Sequence, residues 1–167
     1  MNDEGFIALT VPDKRYCFDR FRARSSLANI VDAHEHKRKI HSVGTAAEYF
    51  MSVTSRGGNI AWTPHSDGEY KFVHTVDQAK NAMKAISEQA AYLDLHAWVF
   101  TPSSFRLIIE DLYALGLSPF REVSFQDTTI NEFYVQLSKS GTGPGIGRME
   151  LVKRIDEEEA AAFAISA

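Results

Sequence analysis

Residues 5–11, reading Gly-Phe-Ile-Ala-Leu-Thr-Val, form an almost unbroken apolar run closed by Pro12 and Asp13, with four residues ahead of it. A run of this length without alternation predicts a strand buried on both faces, the pattern of a central strand in an α/β sheet. Such a strand needs neighbours on both edges, and the four preceding residues cannot form one. The sequence therefore reads as a sheet protein entered partway through.

The other constraints are coarser. A chain of 167 residues, 44% hydrophobic and 24% charged, is expected to form one compact domain with its own core, without room for a second full domain. The formal net charge of -4 argues against general affinity for nucleic acid or an anionic membrane. Lys14, Arg15, Arg20, Arg22 and Arg24 make a local basic cluster, read as a solvated loop after the first strand in preference to a phosphate or carboxylate site. Cys17 is the only cysteine, so no intrachain disulfide or thiolate metal cluster is possible. No apolar stretch is long enough to span a bilayer, and the N-terminus is acidic where a signal peptide is basic. The expected location is the cytoplasm.

Capping signals and periodicity place the helices. Ser25 or Ser26 caps a helix through Leu27, Ile30, Val31 and His34, ending near 41–44, and Thr45 with Glu48 opens a short helix through Ala47, Phe50 and Met51. Residues 55–74 read as loop, with a short extended piece at 70–73. Thr75 and Gln78 open a helix running to about Tyr92 through Ala79, Ala82, Met83 and Ile86. Thr101 caps another, with Pro102 in its first turn, an apolar face through Phe105, Ile108, Leu112 and Leu115, and Gly116 as its stop. Residues 120–125 and 132–137 alternate as a β-hairpin, with Phe133, Val135 and Leu137 on one side. A glycine-rich stretch and a helix from Met149 complete the chain.

Two segments carry a resemblance. Pro-Asp-Lys-Arg-Tyr-Cys-Phe-Asp at 12–19 after a buried strand, and His-Ala-Trp-Val-Phe-Thr-Pro-Ser-Ser-Phe-Arg at 96–106 opening the last large helix, resemble the C-terminal half of bacterial class I S-adenosylmethionine-dependent methyltransferases. The match is closest to the largely uncharacterised methyltransferase-domain proteins of that group and covers roughly residues 5–138. It likens residues 5–11 to the fifth strand of the seven-stranded sheet and the hairpin to strands six and seven.

The resemblance implies an α/β fold, α+β for the chain taken alone. It is a partial Rossmann-like sheet of about three strands, the first strand plus the C-terminal hairpin, with several helices. The domain plan is a methyltransferase-like half at 1–139 with a helical insertion at about 20–92, a glycine-rich linker at 140–148 and a C-terminal helix at 149–167. The first four strands of the family fold are missing, and with them the glycine-rich turn and acidic residue that hold the cofactor. Methyl transfer depends on positioning, so no catalysis is expected of this chain and no cofactor, S-adenosylmethionine entering only if the missing half is supplied. Either the start lies too far upstream of this sequence to be included, or the chain is a fragment retained for another role. Because the insertion commonly lines the acceptor pocket in such enzymes, Asp13, Arg15, Asp19, His74, His96 and Trp98 are the candidate substrate-binding residues. Trp98 and Phe100 have a competing reading as packing beneath the helix that follows them.

Other patterns are read as structural. Gly141, Gly143, Gly145 and Gly147 lie between a strand and a helix, as in a nucleotide site, but Pro144 interrupts them and no second parallel strand follows. A flexible linker is the preferred reading. His34 and His41 are about 10 Å apart along a helix, and His65, His74 and His96 have no zinc spacing, so no metal site is expected. Cys17 is read as a small semi-buried residue rather than a nucleophile, and the acidic run 156–159 as a solvated helix face. Two function classes follow: a methyltransferase-derived chain, including a truncated product of an active small-molecule or saccharide methyltransferase, and a protein-interaction module. The bare edge of the first strand is a template for pairing, so a homodimer through that edge, or through the C-terminal helix, is the expected partner.

Overall fold

The computed structural model describes residues 5–164, with side chains described to residue 161. In chain order the elements are β1 (Phe6–Pro12), α1 (Leu27–Glu35), α2 (Val43–Ser52), β2 (Thr54–Arg56), β3 (Tyr70–Phe72), α3 (Val76–Gln89), α4 (Pro102–Ala114), β4 (Arg121–Gln126), β5 (Glu132–Ser138) and α5 (Arg148–Ala164). The mixed α/β composition, with a small antiparallel sheet, is the α+β arrangement expected. Where composition predicts one core, the chain divides into two compact units, Tyr16–Val99 and the remainder.

The sheet unit contains β1, β5 and β4 in that order, all antiparallel. Phe133, Val135 and Leu137 of β5 oppose Val11, Leu9 and Ile7 of β1, which puts these six side chains on one face. Phe105 of α4 meets Phe100 and Phe133 edge-on beneath that face, and Leu151 and Ile155 of α5 are also buried. The expectation for β1 is corrected here. Its residues alternate, with Phe6, Ala8 and Thr10 exposed, because β1 pairs only with β5 and the sheet is covered on one face among the described residues.

The stretch expected to be a flexible linker is fastened to the sheet. Gly141 N–H donates to the Ser138 carbonyl and Gly143 N–H to that of Glu122. A Cβ on Gly141 would run into the Arg121 carbonyl, so glycine is needed there for close approach. Arg106, paired with buried Glu122 at 2.7 and 2.9 Å, also donates to the Pro144 carbonyl. The helix that follows is docked as well: Arg148 pairs with Asp111 of α4, and Glu158 accepts from the Ser103 hydroxyl at 2.7 Å. The acidic run is therefore not purely a solvated face, and residues 165–167 of the expected tail lie outside the described residues.

In the Tyr16–Val99 unit, α2 packs on α3 around Ala46, Ala82, Ile86 and Leu95. Thr75 and Gln78 form the predicted capping box. Ser26 is the α1 cap, its box partner being Asn29, while Ser25 instead bonds Val99 in both directions. Two boundaries differ from expectation. Helix α1 stops at Glu35 because Lys37 takes a left-handed conformation with φ 48, and α2 starts from Ser42, whose hydroxyl accepts from Thr45 N–H at 3.0 Å. Strand β2, in the stretch read as loop, pairs with β3 as a short ribbon.

Candidate functional site

The segment after Cys17 folds into tight turns, with Arg20 N–H donating to the Cys17 carbonyl and Arg22 N–H to the Asp19 carbonyl. Its outer strand-like contacts run from Phe18 to Ile60 and Thr54. This places Asp19 inside the unit, at 2% exposure. Its two carboxylate oxygens are used differently: Oδ1 accepts from Arg22 Nη1 at 2.7 Å and Oδ2 lies 2.8 Å from His96 Nδ1. Arg22 Nη1 also donates to the His96 carbonyl at 2.8 Å. One buried guanidinium thus holds both the carboxylate and the backbone of the histidine that the carboxylate orients.

Ring packing completes the arrangement. Phe18 lies 4.5 Å from the His96 ring, Tyr49 stands edge-on to Phe18, and Arg22 lies over Tyr49. Burial, and next the Asp19 charge, push the Tyr49 hydroxyl above its ordinary range, so it stays neutral at physiological pH. In the neutral imidazole, Nδ1–H donates to Asp19 and Nε2 carries the free lone pair. The His96 side chain is 41% exposed, so the imidazole is partly open to solvent. The arrangement can accept a proton or a hydrogen bond from a hydroxyl or amine.

A cleft of about 610 Å³ lies in the same unit, with Arg24, Arg38, His41, Glu48 and Trp98 in its wall. Glu48 links it to the Asp19–His96 pair, since its Oε2 is 3.5 Å from Arg22 Nη2 and its Oε1 accepts from Ala23 N–H at 3.0 Å. Trp98 is 43% exposed. Phe100, 9% exposed and set against Phe105, packs beneath the helix that follows it.

The remaining candidates have other occupations. His74 packs its ring against Phe50 at 4.6 Å and Tyr49 at 5.6 Å. Asp13 and Arg15 belong to the sheet unit, where Asp13 is fully buried and accepts from Arg15 N–H, Arg15 Nε and Thr128 Oγ1. That pair clamps the β4–β5 loop at the end of β1. Arg22 and Glu48 escaped the sequence reading. The sequence reading places Arg22 in a solvated basic loop, whereas Arg20 and Arg22 are 4% and 1% exposed. Asp19, three residues before Arg22, was the available signal. Cys17 is buried at 3% exposure, with Sγ 4.0 Å from Asp19 Oδ2.

No protein-family model, curated protein or solved structure matches the chain. No group of three or more metal-ligating side chains occurs among the described residues, and no helix there is long and apolar enough to cross a membrane. In the glycine-rich stretch a Cβ on Gly141 would run into the Arg121 carbonyl and one on Gly143 into the Arg121 guanidinium, so these two glycines serve close packing, while Gly145 and Gly147 face open space.

Proposed function

We propose that this chain is the acceptor side of a methyltransferase-type protein, binding and orienting a small acceptor without transferring a methyl group by itself. The observation that carries this reading is the Asp19–His96 pair: a carboxylate-oriented imidazole, partly open to solvent, is the kind of group needed to receive a proton from an acceptor hydroxyl or amine. The order β1-β5-β4 supports the resemblance, since it pairs the strand likened to the fifth with the one likened to the seventh. A reducing location such as the cytoplasm suits a chain whose single cysteine is buried. Calorimetric titration with S-adenosylmethionine tests the proposal: no binding is expected, and clear one-to-one binding overturns it.

A second reading, an interaction module, is favoured by the outer edge of β1, which pairs with no strand among the described residues. The occupant we propose is a second copy, because a two-fold axis sets a strand antiparallel to itself and pairs both bare edges at once. Sedimentation over a concentration series is expected to show dimer. A monomer throughout removes this reading.

A further inference from the structure

We propose that the cleft of the Tyr16–Val99 unit binds a small organic anion bearing a flat ring, the anionic group being a carboxylate or a phosphate. Helix α1 ends at Glu35, and the left-handed Lys37 turns the chain so that Arg38 and Lys39 enter the cleft wall, where Arg24 joins them. Glu48 is the one acidic residue lining this space, and its carboxylate is engaged by Ala23 N–H and Arg22. The wall is therefore cationic in a chain whose overall charge is negative. The first turn of α2 adds Gly44, with no side chain to block approach to the helix N-terminus.

One further observation points to a ligand. Trp98 is exposed although its backbone is held firmly beside it: Ser25 N–H donates to the Val99 carbonyl at 2.8 Å, and Val99 N–H to Ser25 Oγ at 3.0 Å. A large aromatic face anchored in this way is a stacking surface for a ring. The volume of about 610 Å³ suits a ligand of that size.

This inference deepens the acceptor-binding reading by naming a ligand class, and it rests on that reading only for the purpose of binding. S-adenosylmethionine titration tests the reading; the test of the cleft uses no cofactor. The ¹⁵N-labelled chain is titrated separately with adenosine monophosphate, 2-naphthoate, inorganic phosphate and adenosine. Saturable shifts of the Trp98 indole and the Val43 and Gly44 amides are expected with at least one ring-bearing anion, and which of the two binds assigns phosphate or carboxylate. Phosphate alone and adenosine alone should bind about tenfold more weakly or worse, as should the chain carrying Trp98→Ala or the pair Arg38→Gln and Lys39→Gln. These side chains are exposed, so an otherwise unchanged spectrum verifies folding. No saturable shift with either anion, adenosine binding as well as its monophosphate, or binding indifferent to the variants overturns the proposal.

Discussion

Asp19 and His96 are 77 residues apart in sequence and meet at 2.8 Å, Oδ2 to Nδ1, with Arg22 bonded to both residues. The carboxylate and the guanidinium are buried while the imidazole is partly open. That asymmetry separates a supporting role from a ligand-facing one and leads to the first two predictions.

Asp19→Ala should destabilise the protein by about 3–5 kcal/mol, since it leaves the buried Arg22 charge without its main partner. His96→Ala should cost only about 1 kcal/mol, because solvent screens a partly exposed pair. Urea unfolding of the two variants gives the comparison, and equal losses would contradict the division of roles.

Two-bond ¹H–¹⁵N spectra of the neutral His96 ring should show the proton on Nδ1 and a bare Nε2. A ring protonated on Nε2 instead would remove the proton-accepting role assigned to it.

Gly141→Ala should cost about 1–3 kcal/mol, the price of pushing a methyl group into the Arg121 carbonyl. Gly44→Ala, in the first turn of α2 with only the Ser42 hydroxyl at 3.8 Å, should stabilise by about 0.5–1 kcal/mol. Thermal unfolding of both reports whether residues 140–148 are packed or merely connect.

Leu151→Ala should lose about 2–5 kcal/mol, because this side chain of α5 is fully buried. A loss within error of zero would mean that α5 is a detachable tail.

Burial raises the carboxyl of Glu158 above the ordinary glutamate range, against opposing hydrogen bonds from Ser103 and the charge of Arg15. The folded state therefore holds this proton more tightly than the unfolded chain. Its contribution to stability is complete below the unfolded pKa and is lost as pH rises through the folded one. Glu158→Gln should remove that component, so the stability difference between variant and parent should change in this direction on moving from pH 7 toward the ordinary glutamate pKa. A difference that does not vary with pH would refute it.

Local order was legible where a signal and its response lie within a turn. The Thr75–Gln78 box, Pro102 at the start of α4, and the alternation of Phe133, Val135 and Leu137 each act over a few residues, and each appears in the structure as read. The end of α1 was not legible, because a lysine took the left-handed conformation that sequence rules assign to glycine. The status of residues 5–11 was not legible either: an apolar run looks the same whether it is covered on one face or two, and only the structure shows β1 paired with β5 and with no second strand among the described residues.

The candidate site divides in the same way. Sequence by itself determined which side chains were available, and the two resembling segments pointed to Asp13, Arg15, Asp19, His96 and Trp98. Tertiary structure alone decided their roles. It spent Asp13 and Arg15 on clamping a hairpin loop, and it buried Arg22 between Asp19 and the His96 backbone. It also left Trp98 exposed beside a cationic cleft. The physical reason is that burial and charge pairing are set by which distant segments fold against one another, and a single sequence without its contacts carries no record of them.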